Sequence, residues 1–531
     1  QSVGHQRVCK RTRKNIRNVN IMNKHNNSSR TEKAVKNSLI VATCQVLYLI
    51  ASFICRTVFI KMLGAEYLGI IGLFNNILTI LNFVELGIGS ALVYRMYAPF
   101  ATNEKEKLRE YISIYRKAYR VIIITVLCIG LVLFPAIPWF VSTTKVNENI
   151  QMLYLLYLVQ TLTSYTFAYK KSLLIADQKT YLIEIYTGAF NILMNVVQCI
   201  LLILLRNFIL YCLTNILCNL LNNYICAKRA DREYPFILEK TTGSLNKNDI
   251  VSLLRDVKGL LLTKITSTVF SSTDNIFISA YIGITSVGIL SNYTLLLTVI
   301  NGVINKVLNS VTASLGNLVA TKQERTEKVL RCLFFINATL FTYGFVVMVL
   351  MLREFITKIW LTDAYDLPQI VIAIVLLEQV LRSIHYPIFI TKNAMGCFSE
   401  YRILFIVAAV LNIIMDFLLV KPFGITGLYF ATIFCRGITY VLDIYVVYRL
   451  RMKASVWRYY QMLLIWAIFS TFVLALAALG ISFIKISGIT GFILRILYIT
   501  VVYIAIYVAY FHEAEEFMYF KSVIGKLRMN I

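Results

Sequence analysis

Apolar runs of about 20 residues recur along this chain, and they constrain its fold more than any other feature. A run of that length crosses the hydrocarbon core of a bilayer as a helix, because only a helix satisfies its own backbone polar groups there. Of 531 residues, 58% are hydrophobic and the mean hydropathy is +0.70, well above a soluble domain. The sequence therefore predicts an all-α, polytopic membrane protein.

The runs predict about 14 transmembrane helices, and the loops between them predict their orientation. Most of the 53 Lys and Arg residues lie in the two tails and the even-numbered connections, whereas the other connections are short and carry few. By the positive-inside rule, both termini are cytoplasmic. The expected spans are 38–60, 68–95, 118–142, 149–169, 181–205, 207–227, 257–280, 286–319, 331–352, 367–391, 401–420, 424–448, 459–482 and 489–511.

Several functional classes lack support in the composition. The net charge of +26 lies mainly in loops at the membrane surface, so we expect no nucleic-acid partner. No GxxxxGK[ST] sequence is present to bind ATP, and the four histidines form no metal-ligand spacing. With short outward loops there is no room for an external catalytic domain. We expect no enzyme activity, no cofactor and no metal.

A shift of 219 residues aligns the first spans with the seventh and eighth. Because 219 residues contain six crossings, the two halves have the same orientation and form a parallel repeat. The predicted organisation is a basic cytoplasmic tail (1–37), an N-lobe of six spans (38–227), a cytoplasmic loop (228–256), a C-lobe of six spans (257–450), spans 13 and 14 (451–511) and a second cytoplasmic tail (512–531). Residues 1–21, before Met22, are expected to be an upstream extension. The matched pairs are Gly64–Gly283, Gly69–Gly288, Leu78–Leu297, Thr79–Thr298 and Asn82–Asn301.

Polar side chains at helical spacing occur at corresponding positions of the repeat. They predict a central, hydrated cleft between the bundles, lined by spans one, two, seven and eight. Arg56, Lys264 and Lys306 are its candidate cations. Other candidate substrate-binding residues are Gln45, Ser52, Asn75, Asn82, Asn275, Asn301 and Asn305. For any single amide, hydrogen bonding between packed helices is the alternative.

Acidic residues inside the spans are candidates for coupling to an ion, H+ or Na+. They are Glu85, Asp274, Asp416 and Asp443. Glu378 and Arg382 stand four residues apart on one span, which favours a structural ion pair. Arg436 and Asp443, together with Asp416, form either a structural network or an ion-coupling site, and the sequence does not rank these.

Two stretches carry a family resemblance: SSRTEKAVKNS from Ser28, and FIKMLGAEYLGIIGLFNNILTILNFVELGIGSALVYRMYAPFA from Phe59 to Ala101. They resemble the Wzx-type polysaccharide flippases of the multidrug/oligosaccharidyl-lipid/polysaccharide (MOP) exporter superfamily, in the capsule and exopolysaccharide branch. The resemblance implies two six-helix lobes around a V-shaped central cavity that opens alternately to either side. The last two spans are similar to the extra pair of lipid II flippases, in which cavity arginines handle the diphosphate. Here the candidates for that role are Arg56, Lys264 and Lys306, because Lys and Arg suit phosphate.

The resemblance also implies a function. The expected substrate is an undecaprenyl-diphosphate-linked oligosaccharide, moved from the inner to the outer leaflet of the bacterial cytoplasmic membrane. Membrane lipids and other polysaccharide-assembly proteins are the further expected partners. A multidrug antiporter of the same superfamily is the nearest alternative, and a membrane-embedded polymerase or glycosyltransferase is a more distant one. The sequence does not identify the glycan or the oligomeric state.

Overall fold

The computed structural model describes residues 43–82, 85, 88–141, 146–177, 179–239, 272–321, 324–395 and 402–513. Within these ranges the regular structure is entirely helical. The helices are α1 (Thr43–Leu63), α2 (Ala65–Leu81), α3 (Ile88–Ala101), α4 (Lys105–Leu133), α5 (Ile150–Tyr165), α6 (Ala168–Ala176), α7 (Thr180–Leu205), α8 (Phe208–Glu233), α9 (272–281), α10 (Ile284–Thr321), α11 (Glu324–Glu354), α12 (Gln369–Ala394), α13 (Arg402–Tyr445), α14 (Trp457–Ile481) and α15 (Gly488–Phe511).

Ten helical segments in the described ranges are long and apolar enough to cross a membrane. The all-α polytopic prediction is therefore confirmed, while the count of fourteen stays a prediction. Predicted span two is divided between α2 and α3, and most of predicted span seven lies outside the described residues. The segment Ile403–Arg451 has 49 residues, which is long enough for two crossings.

Two compact units make up the chain. The first contains residues 1–62, 88–127 and 158–253, and the second contains 63–87, 128–157 and 254–531. Helices α4 and α5 each contribute to both units. The lobe boundaries expected from the sequence stay a prediction.

In the first unit, α1 packs against α7 and α8. A Cβ at Gly188 of α7 would lie 3.3 Å from the Cβ of Cys44, so the helices approach closely there. Further along α1, the ring of Phe59 makes edge contacts with Phe208 and Tyr211 of α8. At the other end of α8, Lys170 bonds to Asp231 at 2.5 Å, which attaches the short helix α6.

In the second unit, the C-terminal pair α14 and α15 packs on α11 through an aromatic core. Its buried rings include Trp466, Phe469 and Phe511, and Phe335 of α11 lies against two of them. At the end of α11, Arg495 binds Glu354 at 2.5 Å. The pair that the sequence set apart from the repeat is thus docked on the second unit by both apolar and ionic contacts.

Helices α2 and α10 cross through glycines that are equivalent in the repeat. A Cβ at Gly69 would lie 2.0 Å from the carbonyl oxygen of Ile284, and a Cβ at Gly288 would lie 1.8 Å from that of Ala65. The two contacts are reciprocal, because each residue of one contact is 219 positions from its counterpart in the other. Gly64 and Gly283, which precede the two helices, both have positive φ, 89° and 129°. The repeat is therefore visible in backbone conformation and in contact.

We expect Gly69→Ala and Gly288→Ala each to destabilise the protein, because the new methyl group meets backbone rather than a movable side chain. The cost expected from overpacking is about 1–3 kcal/mol. Gly302→Ala on α10 is the matched control, because a Cβ there meets nothing within 4 Å. Thermal unfolding of the purified variants in detergent checks this; equal melting temperatures for all three variants would contradict the close crossing.

Candidate functional site

Four polar side chains form a cluster inside the second unit, which we call the oxygen cluster: Asp274 of α9 and Asn412, Asp416 and Thr432 of α13. The hydroxyl of Thr432 donates to Asp274 at 3.2 Å. The amide of Asn412 donates to the Thr432 oxygen at 3.3 Å and to Asp416 at 3.4 Å. Asn412 and Asp416 are fully buried, with 0% of their surface exposed.

A break in α13 brings these residues together. Asn412 and Asp416 are four residues apart, so they share a face of the first half of the helix. Twenty residues of straight helix would separate Asn412 from Thr432 by about 30 Å, yet the two side chains are within hydrogen-bonding distance. Gly424, at φ 56° and just after Pro422, interrupts the helix and turns the chain back. The two halves are therefore antiparallel, as predicted for spans 11 and 12.

The oxygen cluster has the ligand chemistry of a hard cation. It offers carboxylate, amide and hydroxyl oxygens, which such cations prefer. The Oδ1 atom of Asn412 is buried and accepts no hydrogen bond within the described part of the chain. A buried acceptor without a partner costs about 1–3 kcal/mol, and a bound cation would remove that cost.

A second group of charges surrounds Glu378 of α12, which is 2% exposed. One oxygen of this carboxylate, Oε1, lies 2.7 Å from a guanidinium nitrogen of Arg382 and 3.5 Å from Nε of Arg436. The other oxygen accepts from Gln379 at 3.0 Å, and Gln379 accepts from Asn301 of α10 at 2.6 Å. We call Glu378, Arg382 and Arg436 the arginine bridge.

The charges of the two groups do not balance. Asp274, Asp416 and Glu378 are three carboxylates, and Arg382 and Arg436 are the two basic side chains beside them. Asp416 has Asp274, Asn412 and Thr273 as neighbours but no basic residue among the described ones. With all three carboxylates ionised, these described groups carry one net negative charge, which a monovalent cation or a proton held between Asp274 and Asp416 would balance.

Asp443, by contrast, has its own positive partner. Its carboxylate binds Lys392 at 2.5 Å and His385 at 3.0 Å, and the ring of Tyr440 stacks on His385. Asp443 is 3% exposed, so the pair is buried and compensated. In the part of the chain that the structure describes, Asp443 pairs with Lys392 and His385, and these contacts are those of a structural ion pair.

The structure places the remaining predicted cavity residues as follows. On α1 of the first unit, Gln45, Ser52 and Arg56 are half-buried. Lys264 lies outside the described residues, and Lys306 lies on α10 with only its backbone described. Half-buried in the second unit are Asn82, Glu85, Asn275, Asn301 and Asn305, while Asn75 is exposed. Their roles in a cavity stay a prediction.

Repeat-related threonines help to separate cavity residues from packing residues. Thr79 and Thr298 are both exposed, and each donates to a carbonyl one turn back in its own helix, at 2.6 and 2.7 Å. In these bonds, neither hydroxyl binds a neighbouring helix. Asn301 differs, because its amide joins α10 to α12 through Gln379. Packing is thus the better interpretation for Asn301.

Sequence reasoning missed Asn412, Thr432 and Thr273, three members or neighbours of the oxygen cluster. The available signal was the spacing of Asn412 and Asp416, four residues apart in an apolar span. No sequence signal indicated Thr432, because only the reversal of the chain at Gly424 brings it near Asn412 and Asp416.

The fold defines the class first: a polytopic, all-α membrane protein whose fold is similar to that of transporters of the MOP superfamily. Similar solved structures include the lipid II flippase MurJ in an inward closed conformation, with TM-score 0.68 and 16% identity, covering 90% of this chain and 99% of that one. An inward-facing multidrug resistance MATE family transporter has TM-score 0.60 and 14% identity, covering 77% and 94%. A MOP superfamily transporter from Pyrococcus furiosus has TM-score 0.52 and 13% identity, covering 78% and 94%.

The family follows from the sequence. Residues 34–313, more than half of the chain, match the family described as "Polysaccharide biosynthesis protein". The chain therefore belongs to that family. No curated protein matches it by sequence.

The missing positive charge predicts opposite effects for two buried carboxylates of the same helix. In buffer whose only monovalent salt is choline chloride, we expect Asp416→Asn to raise stability, because it removes an uncompensated charge. Asp443→Asn should lower stability by about 3–5 kcal/mol, because it leaves Lys392 without its partner. Thermal unfolding of both variants measures this. A loss of stability in Asp416→Asn as large as that in Asp443→Asn would show that Asp416 is compensated.

Proposed function

We propose that this protein is a flippase that moves undecaprenyl-diphosphate-linked oligosaccharides from the inner to the outer leaflet of a bacterial cytoplasmic membrane. The observation that carries the proposal is the family match over residues 34–313 to polysaccharide biosynthesis proteins. The likeness of 90% of the chain to a lipid II flippase fold supports it. The fold match to the MATE transporter covers less of the chain, 77%.

The chemistry of the substrate explains why such a protein is needed. A diphosphate-linked sugar cannot enter hydrocarbon unaided, because its charges and hydroxyls lose their hydration. Amide, hydroxyl and basic side chains along a hydrated path replace that hydration while the polyprenyl chain stays in lipid. Arg56, Lys264 and Lys306 are the proposed phosphate contacts. No bond is made or broken, so no catalytic residue is required.

We propose Na+ as the coupling ion and the oxygen cluster as its site. The site offers oxygen ligands only, the described charges around it sum to minus one when every carboxylate is ionised, and the Oδ1 atom of Asn412 accepts no hydrogen bond from the described residues. A cation that binds one conformation better than another shifts the population between them. Binding and release of Na+ can therefore bias the conformational cycle that carries the head group.

Reconstitution tests the translocation step. Proteoliposomes that contain the protein and undecaprenyl-diphosphate-linked N-acetylglucosamine should deliver the sugar to the leaflet where an added lectin binds it. Arg56→Ala, Lys264→Ala and Lys306→Ala should each slow delivery ten-fold or more, since a charged hydrogen bond contributes about 1.5–3 kcal/mol. Lys485→Ala, at an expected outer loop, is the control. Binding of tetraphenylphosphonium but not of the lipid-linked sugar would favour a multidrug transporter instead.

Ion binding is tested by thermal stability in NaCl against choline chloride of equal concentration. Na+ at 100 times its Kd should stabilise the native protein by about 2.7 kcal/mol. Asp416→Asn and Asn412→Leu should lose this response. Asp443→Asn should retain it, because its contacts lie outside the oxygen cluster. Equal stabilisation by Na+ in all variants would contradict the oxygen cluster as the Na+ site. Stabilisation by lowered pH alone would identify H+ as the coupling ion.

A further inference from the structure

Arg382 differs from Arg436, the other basic residue of the arginine bridge, in the exposure of its side chain. Its side chain is 42% exposed, whereas that of Arg436 is 11% exposed and that of Glu378 is 2% exposed. Arg382 lies near the middle of the span Gln369–Lys392. An arginine that faces lipid at that depth costs at least about 2.5–3.5 kcal/mol. The exposed side of this guanidinium is therefore suited to water or to an anion.

Arg382 is also held in place by Glu378. Its Nε and one terminal nitrogen lie 3.2 and 2.7 Å from the same oxygen of Glu378. Among the described residues, the remaining N–H groups of the planar guanidinium have no hydrogen-bond partner, and such a fork suits phosphate oxygens. A fixed, partly exposed arginine loses little side-chain entropy when it binds a ligand.

Glu378 connects this arginine to the oxygen cluster. The same Oε1 atom that binds Arg382 is 3.5 Å from Nε of Arg436. Arg436 is four residues from Thr432 on α13, so the two share a helix face, and the hydroxyl of Thr432 donates to Asp274 at 3.2 Å. Arg382, Glu378 and Arg436 therefore form a group of charges that extends from the exposed guanidinium toward the proposed cation ligand Asp274.

We propose that Arg382 binds the diphosphate of the substrate and that Glu378 and Arg436 link this contact to the cation site, so that the two ligands strengthen each other's binding. The inference rests on the proposed function and adds to it a phosphate-binding residue and a positioning residue, Glu378. The glycan is not part of the contact, so one probe with a diphosphate head group is sufficient.

The sign of the linkage follows from electrostatics. A diphosphate bound at Arg382 adds negative charge near Glu378 and draws the guanidinium of Arg382 away from it. The ion pair between Glu378 and Arg436 then becomes stronger, and Arg436 neutralises less of the negative charge of Asp274. Both effects raise the affinity of the oxygen cluster for a cation. By linkage, Na+ raises the affinity for diphosphate by the same factor.

The test is calorimetric titration of the purified protein in detergent, at constant ionic strength with choline chloride. The probes are Na+ and farnesyl diphosphate, with uncharged farnesol as the control lipid. We expect saturating farnesyl diphosphate to lower the Kd for Na+ at least about five-fold, and Na+ to lower the Kd for farnesyl diphosphate by the same factor. Farnesol should change neither value.

Variants separate the roles of the two residues. Arg382→Gln should weaken the binding of farnesyl diphosphate ten-fold or more and abolish the linkage while Na+ still binds. Arg382→Lys should keep part of the diphosphate affinity and part of the linkage. Glu378→Gln should retain diphosphate binding and lose the linkage, and Glu378→Asp, which keeps the charge, should show a reduced linkage if the glutamine variant does not fold. Arg458→Gln is the matched control, because Arg458 also pairs with a glutamate, Glu327, at 3.2 Å.

The outcomes distinguish this inference from the proposed function. Binding of both ligands with unchanged Kd values overturns the linkage alone. Linkage that persists in Arg382→Gln overturns the role of Arg382. Absence of Na+ binding removes the proposed cation site and this inference with it, and absence of diphosphate binding removes the proposed flippase function as well.

Discussion

A carboxylate that stays ionised inside a membrane-spanning bundle requires a positive partner, and this constraint organises the interior of the second unit. An uncompensated charge at that depth is costly whatever the scale used. Asp443 meets the requirement with Lys392, and Glu378 meets it with two arginines. Asp416 meets it with no basic residue in the described part of the chain. The exception lies where three helical segments supply oxygen ligands, which is why we place a cation there.

The crossing of α2 and α10 shows how a duplicated sequence shapes a contact. Two equivalent glycines let the backbones approach until carbonyl oxygens occupy the space of a Cβ atom. A contact between equivalent residues satisfies both copies with one geometry, as in a symmetric dimer. The same helices present Thr79 and Thr298 on exposed faces. Close packing on one face and polar exposure on another thus coexist in each copy of the repeat.

The proposed coupling uses the same charges that stabilise the bundle. Asn301 and Gln379 connect α10 to Glu378, and Arg436 lies 3.5 Å from Glu378 and one turn from Thr432, which donates to Asp274. A network of this kind polarises along its length in a low-dielectric interior. A change of charge at one end therefore changes the electrostatic potential at the other end. This gives a physical basis for the proposed effect of each ligand on the affinity for the other, without a large rearrangement of the packed core.

Much of the fold could be predicted, because apolar length, loop charge and repeat register are local properties of a sequence. The positive φ of Gly64 and Gly283 follows the predicted register. The candidate sites were less accessible. Asp274 and Asp416 were nominated singly, and the partners of Asp443 and Asn301, which are Lys392, His385 and Gln379 on α12, could not be read from spacing along the chain.

By itself the sequence determined an all-helical membrane protein, since the backbone polar groups of a span in hydrocarbon must form hydrogen bonds within that span. The repeat of its two halves was also predicted from the sequence, through the 219-residue register. Only the tertiary structure decided which charges meet. Asn412 and Thr432 are twenty residues apart and become neighbours because Gly424 reverses the chain. Partners of buried charges come from different helices, and their distances depend on packing and kinks that no spacing along the chain records.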